Sequence, residues 1–193
     1  MEVIAPQVGM SFDEFIEEFA QQPFELLAGE RVIRMPDVWG PMRVTLALYN
    51  ALFLFLEQHL LGRVVMEVTF ILPGTYTAKW VTESRIPDIM YFAGTRLEDY
   101  EHANPDANAR PLEIVPDFVA EIVSPNDKYS AIHQKVDLYL QDGVRMIWVI
   151  DPQRRKATVY MPGQPPLMVA DSDLLRGGDV MPGFEIQLAR LLK

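Results

Sequence analysis

Three residues in this chain carry charge where the surrounding pattern is apolar: Asp88, Glu121 and Lys135. Glu121 stands inside the run from Phe118 to Val123, bounded by Asp117 and by Ser124-Pro125-Asn126-Asp127, and such a run predicts a strand buried on both faces. An ionised carboxylate there needs a cation, a hydrogen-bond network or a metal, because otherwise it would sooner protonate. On the next segment, steps of about 100° from Ile132 place Val136, Leu140, Tyr139, Ala131 and Leu138 on one arc. Lys135 is the one formal charge on that arc, while His133 and Asp137 fall on the opposite, solvated one. Asp88 lies among Ile86, Ile89, Met90 and Tyr91, directly after Pro87, which predicts an edge strand or a strand's first residue.

Two carboxylates on neighbouring strands make a hard oxygen site suited to Mg²⁺ or Mn²⁺. A metal held there would polarise a phosphoryl oxygen and lower the pKa of a bound water, and a lysine nearby could orient that water. The three residues therefore read as a phosphodiesterase site. The competing reading keeps Glu121 and Lys135 as a buried structural pair with no chemistry. Lys135 alone could also simply snorkel past the apolar face.

The elements that must position these residues follow from the same patterning. A strand, a helix closed by Asp142-Gly143 and an apolar strand from Met146 to Ile150 predict a parallel pairing through a right-handed crossover. Glu121 and Lys135 then converge at a strand's carboxyl end, where open α/β sheets bind ligands. Earlier in the chain, Ser11 with Glu14 predicts a capping box opening a helix through about Ala20. Pro23 to Met35 predicts a hairpin turning at Ala28-Gly29. Met42 to Leu61 predicts a long helix with Leu46, Tyr49, Phe53, Leu56 and Leu60 repeating at helical spacing. Strands are expected over Val64 to Leu72 and Arg85 to Phe92, joined by a Pro-Gly turn and the polar stretch Thr75 to Ser84, and residues 94 to 116 read as a surface loop. Ala157 to Met161, Leu167 to Ala170 and Phe184 to Leu188 complete the list of short strands. Trp39, Trp80 and Trp148 read as packing residues.

Composition bounds the function. The 193 residues, 49% hydrophobic, suffice for one well-buried core, so a single domain over 1–193 is expected: N-terminal helix and hairpin (1–40), core (42–151) and C-terminal short strands (152–193). With no cysteine, disulfides, thiolate metal sites and cysteine nucleophiles are excluded. A cytoplasmic location is the expectation, with no signal peptide and no apolar run long enough to span a bilayer. The net charge of −10 argues against a polyanionic partner, yet residues 1–30 hold seven acids and no Lys or Arg, leaving the rest of the chain at −3.

At these residues the chain resembles the PD-(D/E)XK nuclease superfamily, and more closely its Uma-type restriction endonuclease family. The resemblance rests on FELLAGE (Phe24 to Glu30), RIPDIMYF, VAEIVSPNDKYSAIHQKVDLYLQDGV and WVID at Trp148 to Asp151, and it covers most of the chain. It implies an α/β (α+β) fold, a restriction-endonuclease-like mixed β-sheet flanked by helices with an N-terminal helix and hairpin. It further implies Asp88, Glu121 and the Ile122 carbonyl as ligands of Mg²⁺ (or Mn²⁺), Lys135 as the motif lysine moved to the following helix, and DNA as substrate. Glu25 is the best match to the superfamily's early acid. Relatives often carry a histidine where this chain reads WGPMRV from Trp39, and no lysine follows Glu121 by two residues. A homodimer fits enzymes that cut both strands. The alternatives are a catalytically inactive interaction protein that keeps the fold, and hydrolysis of a small phosphoester, which needs less basic surface.

Overall fold

The computed structural model describes residues 8–34, 38–72 and 80–193; the expected Pro-Gly turn at 73–74, the polar stretch through 79 and the hairpin's last residue, Met35, lie outside them. In chain order the elements are β1 (Met10–Ser11), α1 (Phe12–Gln21), β2 (Phe24–Leu27), β3 (Glu30–Ile33), α2 (Trp39–His59), β4 (Gly62–Met66), β5 (Phe70–Ile71), β6 (Trp80–Val81) and β7 (Ser84–Arg85). They continue with β8 (Ile89–Ala93), α3 (Arg96–Ala103), β9 (Phe118–Ile122), α4 (Tyr129–Asp142), β10 (Met146–Asp151), β11 (Lys156–Tyr160), β12 (Leu167–Ala170), β13 (Leu174–Arg176), β14 (Glu185–Gln187) and α5 (Leu188–Leu191). The result is a mixed α+β chain whose residues form two compact units.

The first unit takes the described residues within Met1–Pro36, Val68–Ile86 and Pro105–Val115. Ser11 caps α1 as expected, its hydroxyl accepting from Glu14 N–H while the Glu14 carboxylate returns to Ser11 N–H. The Ser11 bonds hold the Glu14 carboxyl below its ordinary range. The β2–β3 hairpin reverses at Ala28 (φ 53°) and Gly29 (φ 76°), where a Cβ on Gly29 would meet Val8. β2 joins β3 on one side and β7 on the other, with β5 completing a four-stranded sheet, while α1 buries Phe12 and Phe15 against Phe24 and Leu26.

The second unit takes the described residues within Asp37–Glu67, Pro87–Asn104 and Pro116–Lys193 and holds a six-stranded sheet in the order β12-β11-β10-β9-β8-β4. Only β9 and β10 run parallel, as the strand–helix–strand pattern predicts. Alternation assigns the two faces. Ile89, Tyr91, Phe118, Ala120, Ile122, Trp148 and Ile150 pack on Val44, Leu48, Leu52 and Leu56 of α2, with the Trp148 ring edge-on to Phe118 at 5.0 Å. The intervening residues of β9 and β10 turn to the opposite face, over which α4 lies. Leu52→Ala, at a fully buried position of this core, is expected to cost about 2–5 kcal/mol, read as a lowered urea midpoint.

Several expectations are corrected. Of the apolar series assigned to the long helix, Leu56 is buried and Tyr49 partly so, but Leu46, Phe53 and Leu60 are exposed. α2 is apolar nearly all round, so spacing alone does not select its inner face. Trp39 is 70% exposed, whereas Trp148 is fully buried. The run 64–72 divides into β4 and β5 in different sheets, turning at Glu67 (φ 58°). The run 85–92 likewise divides, because Pro87 lacks the N–H a ladder needs. The stretch 94–116 is not all loop: α3 occupies Arg96–Ala103, with Leu97 its one buried residue, too short and polar to show a period.

Candidate active site

Asp88, Glu121 and Lys135 belong to the second unit, where the sheet and α4 bring them together. The antiparallel ladder ends with Ile89 opposite Ala120, so Asp88 and Glu121 are the next residue of each chain segment beyond that pair. Asp88 is not at an edge: it precedes β8, which lies between β4 and β9. Its Oδ2 accepts the Ile122 N–H at 2.6 Å, taking the place of a backbone acceptor where β8 begins. Asp88 is 8% exposed.

Glu121 is held from above. Lys135 Nζ lies 2.9 Å from Glu121 Oε1, and the Tyr139 hydroxyl, one helical turn further along α4, donates to the same oxygen. Both contacts fall on Oε1, and among the described residues Glu121 Oε2 has no hydrogen-bond partner. The side chains of Lys135 and Glu121 keep 19% and 13% of their exposure, enough for a small ligand or water to reach them. α4 presents Lys135 here because its buried positions, Val136 and Tyr139, fix the helix's rotation, and Gly143 (φ 97°) ends it before β10.

The donor set fits a hard divalent cation. One oxygen of Glu121 is fixed by two donors and the other is open, an arrangement that orients a ligating carboxylate. Among the described residues no group of three or more His, Cys, Asp and Glu side chains could hold a metal, so a cation here would complete its shell with carbonyl, water and phosphate oxygens, as Mg²⁺ commonly does. Ile122, whose carbonyl is the remaining expected ligand, ends β9 one residue after Glu121.

Glu25 lies in the first unit on β2, 7% exposed, its Oε1 accepting the Ile86 N–H at 2.8 Å. The structure does not place it with the other three in one unit. Tyr139 is the residue that sequence reasoning missed: it reads as one more member of the apolar arc, yet it is fully buried with its hydroxyl on Glu121. The available signal was its place one turn after Lys135, beside a buried carboxylate that needed donors. Tyr139→Phe keeps the ring and removes that bond, and is expected to lower stability by about 1.5–3 kcal/mol, the range for hydrogen bonds to charged groups, measured by denaturant titration.

A second group lies on the same face. Asp151 at the end of β10 is 8% exposed; its Oδ2 accepts from the Tyr129 hydroxyl and from Arg154 Nη1 (3.2 Å), and its Oδ1 from Arg154 N–H (2.9 Å). The Arg154 guanidinium sits over the Tyr129 ring, 4.4 Å from its centroid.

A profile of the family described as "Uma2: Putative restriction endonuclease" matches residues 12–189. No curated protein matches the sequence. Among solved structures, one described as a "putative nuclease belonging to DUF820" from Anabaena variabilis superposes with a TM-score of 0.76 at 18% identity, covering 95% of this chain and 97% of that one. At that identity the likeness speaks to the fold, a nuclease-like mixed sheet with flanking helices. Among the described residues no helix is long and apolar enough to cross a membrane.

Proposed function

The chain belongs to the Uma2 family, described as "Putative restriction endonuclease", and from that premise we propose that it is a divalent-metal-dependent nuclease hydrolysing phosphodiester bonds of DNA. One observation carries the reading: where the β8–β9 ladder ends, the Asp88 carboxylate sits on the N–H of Ile122, the residue after Glu121, and Glu121 Oε1 is fixed by Lys135 and Tyr139. Asp88, Glu121 and the Ile122 carbonyl would hold Mg²⁺ or Mn²⁺. When bound, that cation supplies charge neutralisation at the phosphate and acidifies a coordinated water.

The residues divide the remaining work. Tyr139 and Lys135 keep the Glu121 carboxylate in one orientation, so no reorganisation is needed as charge develops. Lys135, its Nζ 2.9 Å from Glu121 Oε1, would orient the attacking water. In the overall reaction water adds to phosphorus, one P–O ester bond breaks, and the departing oxygen takes up a proton. Glu25 is kept as the candidate early acid.

A second reading is favoured by a specific contact: Lys135 and Tyr139 both on Glu121 is also how a non-catalytic structural pair would look. Incubating the purified chain with linear and supercoiled DNA in Mg²⁺, Mn²⁺ or chelator, beside Asp88→Ala, separates the two. Metal-dependent cutting that Asp88→Ala abolishes supports the nuclease. Metal-independent behaviour, with no cutting and no binding of either ion, supports the structural pair.

A further inference from the structure

Beside Glu121 lies a cavity of about 420 Å³ to which the site described above gives no role. Its floor continues the pleat row of Glu121: Val149 is opposite Glu121, Thr158 opposite Val149 and Met168 opposite Thr158. Adjacent strands lie about 4.8 Å apart, so the cavity begins one strand from the carboxylate. Its roof includes Ile132 and His133 of α4, the turn before Lys135. The volume lies within the range of small-ligand sites, and is large enough for one nucleotide unit.

The lining has a definite chemistry. Lys156, Thr158 and Tyr160 alternate along β11 so that all three face the cavity, and Arg154 and Tyr129 stand at its mouth. The one carboxylate in the lining, Asp151, is occupied by Tyr129 and Arg154, and His133 adds a titratable ring. Two cations therefore meet a single, already paired anion, in a chain whose net charge is −10. The Arg154 side chain is 61% exposed, and with one face of its guanidinium on Tyr129 the other is open for stacking. Burial, with Asp137 nearby, pushes the Tyr160 phenol up against the opposing effect of its bond to Thr158, so it remains a neutral donor at neutral pH.

We propose that this cavity binds a nucleotide unit of the DNA strand next to the bond being cut, its phosphate on Arg154 and Lys156 and its base on the guanidinium–tyrosine surface. The arrangement uses two modes by which single strands are held, phosphate pairing with Arg and Lys and stacking on aromatic and guanidinium planes. It also answers how an acidic chain engages a polyanion: the cations are few, but they stand one strand from the proposed metal ligands. The proposal rests on the nuclease reading of Asp88 and Glu121.

The test is fluorescence anisotropy of a labelled single-stranded deoxyoligonucleotide with the full chain in chelator, where no cutting occurs, across a salt series. Arg154→Ala/Lys156→Ala is expected to weaken binding tenfold or more and to flatten the salt dependence by roughly 0.7 in log–log slope, the amount for the one phosphate the two cations share. Lys156→Glu, which leaves the Asp151–Tyr129–Arg154 group intact, is expected to weaken it at least as much as Lys156→Ala. Arg63→Ala, at an exposed pair with Glu98 elsewhere in the unit, is expected to change nothing. Affinity within twofold of wild type for both the double variant and Lys156→Glu overturns the subsite, and if Mn²⁺-dependent cutting persists the nuclease reading stands without it. A wild-type chain that binds Mn²⁺ but no oligonucleotide also overturns the subsite alone. A chain that binds neither overturns both.

Discussion

Glu121→Gln is expected to abolish the stabilisation that Mn²⁺ gives the wild-type chain and to reduce metal-dependent DNA cutting to background. A ligand binding only the folded state raises stability by RT ln(1 + [L]/Kd), about 2.7 kcal/mol at a hundredfold excess over Kd. The substitution preserves volume, and the amide oxygen can still accept from Tyr139 and Lys135, so the packing under α4 has no reason to change. What it removes is the anionic Oε2, the oxygen left open by the protein's own contacts. Parallel thermal melts in chelator and in millimolar Mn²⁺ read the effect directly. If the variant shifts with Mn²⁺ as wild type does, Glu121 is not a ligand. If it loses several kcal/mol in chelator and wild type gains nothing from Mn²⁺, the carboxylate is there to pair with Lys135 and the metal reading falls.

What could be read in advance was governed by local physics. The capping box at Ser11, the reversal at Ala28-Gly29 and the helix end at Gly143 each depend on a few contiguous residues, and all three are found where the residues put them. The parallel β9–β10 pairing was legible because a helix between two apolar runs leaves little else. Non-local choices were not legible. α2 has several apolar stripes, and the sheet face it meets selects Val44, Leu48, Leu52 and Leu56 over Leu46, Phe53 and Leu60. Pro87 divides one apparent strand between two sheets, which no window of sequence around it states.

The candidate site divides in the same way. Asp88, Glu121 and Lys135 stood out because charge among apolar residues is a local anomaly, and the structure gathers them. Tyr139 concealed itself by being aromatic on an apolar arc. The cavity beyond Val149 depends on three successive strand registers and on a turn, Asp151 to Arg154, that reads only as a polar connection. Its cations were averaged away in the total charge.

Lys135→Ala is expected to cut the rate of metal-dependent cleavage by about 10²–10³, the loss typical of removing one preorganised donor, while Mn²⁺ still binds. The direction of the binding change is the informative part. In chelator, Lys135 compensates Glu121 at 2.9 Å within a mostly buried pair, so truncation leaves the carboxylate with Tyr139 alone and lowers stability. Added Mn²⁺ supplies the missing positive charge and is no longer repelled by a neighbouring ammonium, so the metal-induced rise in melting temperature should be larger than in wild type. A purely structural pair predicts the same loss in chelator but no recovery with metal. Catalytic and structural roles for Lys135 therefore make opposite forecasts for one melt, and Lys135→Arg, which restores charge but not the compact ammonium, should recover the stability in chelator more fully than the rate.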